Sequence, residues 1–140
     1  MKKLLLIILA IATLTSIGYS QTTPTIKHGG IVVYENNGHG LVAATKDLGA
    51  MDWDYAKKSC YELTLNGYDD WYLPTQDDLI ALYKNLQEKG VGGFKTNFYW
   101  SSAEESDNSA WVKNFYPGFG GVQYAKPKSG IYTVRAVRRF

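Results

Sequence analysis

The residues that could do chemistry in this sequence are concentrated after position 108, where aromatic and basic side chains alternate. A lysine ammonium can hold an anion or donate to a hydroxyl, and an aromatic ring offers a flat apolar face to a sugar or a base. Residues 108–131 also contain the glycines and prolines of loops, which commonly carry recognition. We therefore predict a ligand-binding surface in this segment. Its candidate residues are Lys113, Tyr116, Tyr124, Lys126 and Lys128.

Charge is divided unevenly along the chain. Residues 21–107 carry 7 basic and 13 acidic side chains, whereas residues 108–140 carry 6 basic ones and no acid. Either the two halves pair across one fold, or the basic half presents a face to an anionic partner. The expected partner is an extracellular glycan, for which the lysines would suit an anionic one, or a surface protein. Nucleic acid is not expected, because residues 21–140 carry no net charge.

An oxygen-rich stretch at residues 104–108 is the candidate metal site. Calcium takes six to eight oxygen ligands, but the stretch lacks the glycine-anchored spacing of an EF-hand. A solvated acidic loop is the favoured interpretation, and a calcium site is the alternative. We expect no resident cofactor, calcium being the one candidate. Its candidate ligands are Glu104, Glu105, Asp107 and Asn108.

Known catalytic motifs are missing from the sequence. It contains no G-x-S-x-G, no P-loop and no G-x-G-x-x-G after a strand. Cys60 is the single cysteine, which excludes a disulfide framework and a cysteine-based zinc site. His28 and His39 are not spaced as a pair of metal ligands. We therefore predict a non-enzymatic protein.

Three function classes remain open at this stage. The favoured one is a recognition module for an extracellular glycan or another surface ligand. The main alternative is a structural, self-associating cell-surface or fimbria-like subunit without a small ligand. The least favoured is a carboxylate-based glycan hydrolase, because the separation of two carboxylates in space is invisible in a sequence.

The first twenty residues have the features of an export signal. Lys2 and Lys3 precede an apolar run over residues 4–12, and the small residues Gly18 and Ser20 suit a cleavage site. The run is too short for a bilayer, which needs about 20 apolar residues. We predict a signal peptide at 1–20, no transmembrane segment after its cleavage, and a secreted, periplasmic or cell-surface location.

The remaining chain has the length and composition of one globular domain, with 45% hydrophobic residues. Residues 21–29 are predicted to be a flexible lead, and 30–140 a single domain. The patterns predict a hairpin over 30–45, a helix capped by Asp52 to about Leu63, and a helix from a Thr75–Asp78 capping box to about Lys89. Short strands and loops follow, so the fold class is α+β.

The sequence contains four motifs in this order: DWYLPT at 70–75, YWSS at 99–102, AWVKNF at 110–115 and VRAVR at 134–138. In this order they resemble the bacterial Lcl C-terminal domain family, and are similar to the fibrobacter succinogenes major paralogous domains. The resemblance implies a C-type-lectin-like fold, with two helices flanking a small antiparallel sheet and a loop-rich second sheet. Because the domain trimerises in the adhesin that names the family, it also implies a homo-oligomer.

Two structural expectations follow from this assignment. Residues 31–35 should pair antiparallel with residues 131–138, because apolar residues alternate in both segments. A bulge or an end of pairing is expected at Val137, where the alternation breaks. Trp71, Trp100 and Trp111 should lie in the core.

Overall fold

The computed structural model describes residues 23–140, and the predicted signal peptide at 1–20 lies outside the described residues. The two helices are α1 (Trp53–Tyr61) and α2 (Gln76–Asn85). The strands, in chain order, are β1 (Ile26–Lys27), β2 (Gly30–Asn36), β3 (His39–Ala43), β4 (Gly49–Met51), β5 (Phe98–Glu104), β6 (Ser109–Asn114), β7 (Gln123–Pro127), β8 (Tyr132–Val134) and β9 (Val137–Arg139).

The strands form two sheets. One sheet has the order β1-β2-β3-β9 and is antiparallel throughout, and the other has the order β4-β8-β5-β6-β7, in which β5 and β8 are parallel. The strands nearest the two ends of the described chain therefore lie in one sheet, as the resemblance to C-type-lectin-like domains implies. The predicted α+β class with two helices and two sheets is confirmed.

The predicted hairpin is formed by β2 and β3. Asn37 and Gly38 both have positive φ, at 52° and 80°, which is the backbone that a two-residue hairpin turn of this hand requires. Asn tolerates this left-handed conformation and Gly adopts it without steric cost. The turn residues therefore decide where the chain reverses, as the sequence predicts.

Both helices begin where their caps were predicted. Asp52 accepts from the Tyr55 amide at 2.9 Å, and the Thr75–Asp78 capping box has both of its hydrogen bonds. α1 ends earlier than Leu63, whose amide bonds to the Cys60 carbonyl in a tightened last turn. α2 ends at Asn85, and a 3-10 turn at Gln87–Lys89 completes the predicted length. Within residues 23–140, no helix is long and apolar enough to cross a membrane.

The predicted pairing of residues 31–35 with 131–138 is wrong. β2 pairs with β1 and β3, β9 pairs with β3, and β8 belongs to the second sheet. The segment changes sheets at Arg135 and Ala136, two residues before the expected break at Val137. The physical reason is that Arg135 turns inward to bond to Asp47 while Val134 and Ala136 are buried among the apolar residues.

The core consists of two clusters of buried residues, one beneath each helix. Trp71 and Trp100 are fully buried, as predicted, at 2% and 0% exposure. Trp111 differs, because it is only half-buried. It lies opposite Ala125 on the edge strand β7, and this small neighbour leaves the indole partly open to solvent.

Ion pairs connect the acidic and basic parts of the chain. The pairs are Arg135–Asp47 at 2.7 Å, Arg138–Asp70 at 2.6 Å, Arg139–Asp78 at 3.0 Å and Lys128–Glu104 at 2.9 Å. The hydrogen bond from Arg138 holds the pKa of Asp70 below its usual value. Of the two explanations for the uneven charge, pairing across the fold accounts for four of the six basic residues after position 108. The remaining two are Lys113 and Lys126.

Candidate functional site

Aromatic side chains from four segments meet at one end of the second sheet. Trp100 pairs with Val112 and Val112 with Tyr124, and Phe98 is two residues from Trp100, so Phe98 and Tyr124 share one face. Tyr99 pairs with Thr133, so the neighbouring Tyr132 lies on the face of Phe98 as well. Tyr116 comes from the loop after β6, and Lys126 from β7. We call this set the aromatic platform. Its members are Phe98, Tyr116, Tyr124, Lys126 and Tyr132.

Phe98 is the centre of the platform. Its ring lies 5.7 Å from that of Tyr124, 6.0 Å from that of Tyr132 and 6.4 Å from that of Tyr116, each approaching edge to face. The Lys126 ammonium lies 5.4 Å from the Phe98 ring and 5.8 Å from the Tyr124 ring. Tyr116 is 44% exposed and Tyr124 37% exposed, so apolar ring surface and a cation face solvent together.

Hydrogen bonds beneath the surface fix the position of Tyr116. Its amide donates to the Asn114 side chain at 2.9 Å, and its carbonyl accepts from the Tyr83 hydroxyl at 3.3 Å. Asn114 ends β6 and Tyr83 belongs to α2, so two regular elements hold the loop that carries this tyrosine. The ring is therefore presented by a braced loop rather than by a free one.

Lys113 occupies a different position from the other predicted ligand-binding residues. Because side chains alternate between faces along a strand, Lys113 lies on the face of β6 opposite the platform. It is only 1% exposed there. Its ammonium donates to the Gly120 carbonyl and lies 5.4 Å from the Tyr83 ring. Burial lowers the pKa of Lys113. The prediction that it contributes to an exposed binding surface therefore does not fit the structure.

The Lys128 side chain bonds to residues 104–108, the candidate calcium site of the sequence analysis. Its ammonium donates to Glu104 at 2.9 Å and to the Asp107 carbonyl at 2.8 Å. A cation thus already lies between two of the oxygens proposed for calcium. Of the other candidates, Glu105 accepts from the Ser109 hydroxyl, and the Asn108 carbonyl accepts from the Lys128 amide at 2.8 Å. Within residues 23–140, no three His, Cys, Asp or Glu side chains are grouped to hold a metal.

Two neighbouring grooves beside α1 were not predicted from the sequence. We call them the helix groove. The larger part has a volume of about 650 Å³ and the smaller about 470 Å³, and both are lined by Asp54 and Lys58. Tyr61 lines the larger part, and Tyr55 and Lys128 line the smaller. A helical pattern shows which residues point away from the core, but it does not show what lies opposite them.

Comparison with known proteins places the chain in a family. The model of the Lcl C-terminal domain family matches residues 31–138, most of the described chain. The chain belongs to the Lcl C-terminal domain family. The resemblance carried by the four sequence motifs is thereby confirmed.

The chain is similar to the crystal structure of botrocetin, with 11% sequence identity, a TM-score of 0.49, and coverage of 76% of this chain and 95% of that one. No curated protein matches the sequence.

Phe98 and Tyr132 are the platform residues that sequence reasoning missed. Both belong to strands, where an aromatic residue is ordinarily interpreted as core. The signal available was the period-two spacing of Phe98 and Trp100, which places them on one face. The structure shows that Trp100 is covered by the cluster beneath α1, whereas Phe98 is only half-buried at its edge.

Proposed function

We propose that this protein is an exported, non-enzymatic recognition module that binds extracellular glycans on the aromatic platform. The observation that carries the proposal is the arrangement of three tyrosines and a lysine around the half-buried Phe98 ring. Ring faces attract the C–H groups of a sugar, and hydroxyl and ammonium groups hydrogen-bond to its oxygens. Membership of the Lcl C-terminal domain family supports a binding role.

Binding is proposed in preference to catalysis because of the chemistry of the platform. None of its five members carries a carboxylate, so the acid pair that glycoside hydrolysis generally uses has no groups there. Calcium is not needed in this proposal, since Lys128 already neutralises Glu104. Export is proposed from the signal-like pattern of residues 1–20.

The test is a glycan array probed with the purified protein and with Tyr124→Ala. Losing one stacking ring should weaken binding about tenfold, which corresponds to about 1.4 kcal/mol. The matched control is Tyr34→Ala, because Tyr34 is similarly exposed, at 40%, but lies on the other sheet. Binding should be unchanged in that variant and in the presence of EDTA.

The self-associating alternative makes a different prediction in the same samples. It requires that no glycan on the array is bound and that light scattering shows an oligomer. If Tyr124→Ala still bound the same glycans, the binding site would lie outside the platform. If EDTA abolished binding, a calcium site at residues 104–108 would be indicated instead.

A further inference from the structure

The aromatic platform is continuous with the helix groove along strand β7. Tyr124 and Lys126 project from the same face of this strand, and Lys128 follows at the same spacing of two residues. The Lys128 amide still donates to the Asn108 carbonyl at 2.8 Å, so the strand-like course continues. At about 3.3 Å per residue, Tyr124 and Lys128 are separated by about 13 Å.

Lys128 connects this row to α1. Its ammonium lies 4.6 Å from the Trp53 ring, and its carbonyl accepts from the Trp53 amide at 3.0 Å. Lys128 also lines the smaller part of the helix groove, which shares Asp54 and Lys58 with the larger part. The platform, Lys128 and the two parts of the helix groove therefore adjoin one another, and the exposed Asp54 and Lys58 side chains form the border between the two parts. We call this surface the track.

The far part of the track has aromatic side chains of its own. Tyr55 is 61% exposed and Tyr61 81% exposed, and both line the groove. Aromatic rings thus lie at both ends of the track, with hydrogen-bonding side chains between them. A monosaccharide or disaccharide covers one end only, whereas a linear polymer contacts both.

The charges on the track cancel when the acids paired with its lysines are included. The lysines on it are Lys57, Lys58, Lys126 and Lys128, and the acids lining it are Asp52 and Asp54. Glu62 and Glu104 lie beside it, paired with Lys58 and Lys128. Three of the lysines lie within 4.0 Å of a carboxylate in this set. A polyanion would meet as many negative as positive groups and would gain no net attraction. The track therefore favours a ligand of little charge over a sulfated one.

We infer that the ligand is a linear glycan of little net charge that runs from the aromatic platform over Lys128 into the helix groove. This inference rests on the proposed function, since it extends the same site. It assigns ligand contacts to Tyr55 and Tyr61, which no sequence motif indicates.

The test measures how affinity depends on ligand length. Cello-, xylo- and chito-oligosaccharides from disaccharide to octasaccharide are compared with heparin oligosaccharides of the same lengths. We expect the affinity for at least one neutral series to rise with length. Tyr61→Ala should weaken binding of its octasaccharide about tenfold and leave its disaccharide unchanged, whereas Tyr124→Ala should weaken both. Tyr34→Ala is again the matched control.

The salt dependence separates the two ligand classes. Contacts with a neutral glycan should change less than about twofold on raising the salt beyond the concentration at which the Debye length is about 8 Å. Preferential binding of heparin, weakened by salt, would overturn the inference. Binding that is lost in Tyr124→Ala but depends neither on ligand length nor on Tyr61 would also overturn the inference. The proposed function would still hold in that case. If affinity depended neither on Tyr124 nor on ligand length, both the inference and the proposed function would be contradicted.

Discussion

Arg135 shows how one residue can join distant parts of this chain. It is 1% exposed, and its guanidinium donates to Asp47 at 2.7 Å and to the carbonyls of Ala44 at 3.0 Å and Gly92 at 2.8 Å. Asp47 also accepts from the Tyr99 hydroxyl at 3.0 Å. Burial raises the pKa of Tyr99, so the phenol keeps its proton and remains a donor. A buried charge with partners on every side is stabilised, and one without them is costly.

Asp47→Asn should therefore destabilise the protein strongly. It leaves the buried Arg135 cation without its counter-charge, and we expect a loss of about 3–5 kcal/mol in the free energy of unfolding. Urea denaturation followed by circular dichroism measures this loss. Asp54→Asn is the matched control, because Asp54 pairs with Lys57 on the surface and such pairs contribute about 0–1 kcal/mol. Equal effects from the two substitutions would contradict this role of Arg135.

At the scale of the element, α2 illustrates agreement between local sequence and tertiary packing. Its capping box satisfies amides at its first turn, and its inner face buries Leu79, Leu82 and Tyr83. Asp78 has a second role, since its other oxygen accepts from Arg139 at 3.0 Å. The helix start is thus held both by its own cap and by the last strand of the first sheet.

Removing the cap should separate these two contributions. Thr75→Ala deletes one capping hydrogen bond and should lower the free energy of unfolding by about 1 kcal/mol. Thr75→Ser keeps the hydroxyl and serves as the control, with a change near zero. Asp78→Ala should cost more than Thr75→Ala, because it also leaves Arg139 without its carboxylate. Thermal denaturation of the three variants measures the order, and the reverse order would show that Arg139 contributes nothing.

At the scale of the whole molecule, the two sheets share their interior. The cluster beneath α1 contains Val42 and Ala44, from the first sheet and its extension, together with Trp100 and Val112 from the second. Separating the two sheets would expose this apolar surface to water. Burial of that surface favours the two sheets folding together.

The described domain should therefore unfold in one cooperative transition. Trp53, Trp71 and Trp100 all lie in the shared cluster, so tryptophan fluorescence follows the interior while far-ultraviolet circular dichroism follows the backbone. The two signals should give coincident urea transitions. Separate midpoints would mean that the sheets are independent units. Tyr61→Ala, whose side chain is 81% exposed, should leave the midpoint unchanged and serves as the control.

Local patterns in the sequence determined the elements that depend on near neighbours. Asn37 and Gly38 predicted the hairpin turn, and Asp52 and the Thr75–Asp78 box predicted the helix starts, because each acts through hydrogen bonds or backbone angles within four residues. The α+β class followed from the order of the predicted hairpin, helices and strands, and the family from the order of the four motifs. Of the aromatic platform, Tyr116, Tyr124 and Lys126 could be named from the sequence because they interleave within one segment.

Only the tertiary structure decided what depends on contacts between distant residues. The change of sheets at Arg135 follows from its bond to Asp47, 88 positions away, and the burial of Lys113 follows from the loop folded over it. Lys128 seemed free of acids until folding brought Glu104 within 2.9 Å of it. The platform around Phe98 and its connection to the helix groove exist only where β5, β7, β8 and α1 meet. The periodicity of a sequence predicts on which face of a strand or helix a residue lies. Whether that face is buried depends on elements that are far away in the chain.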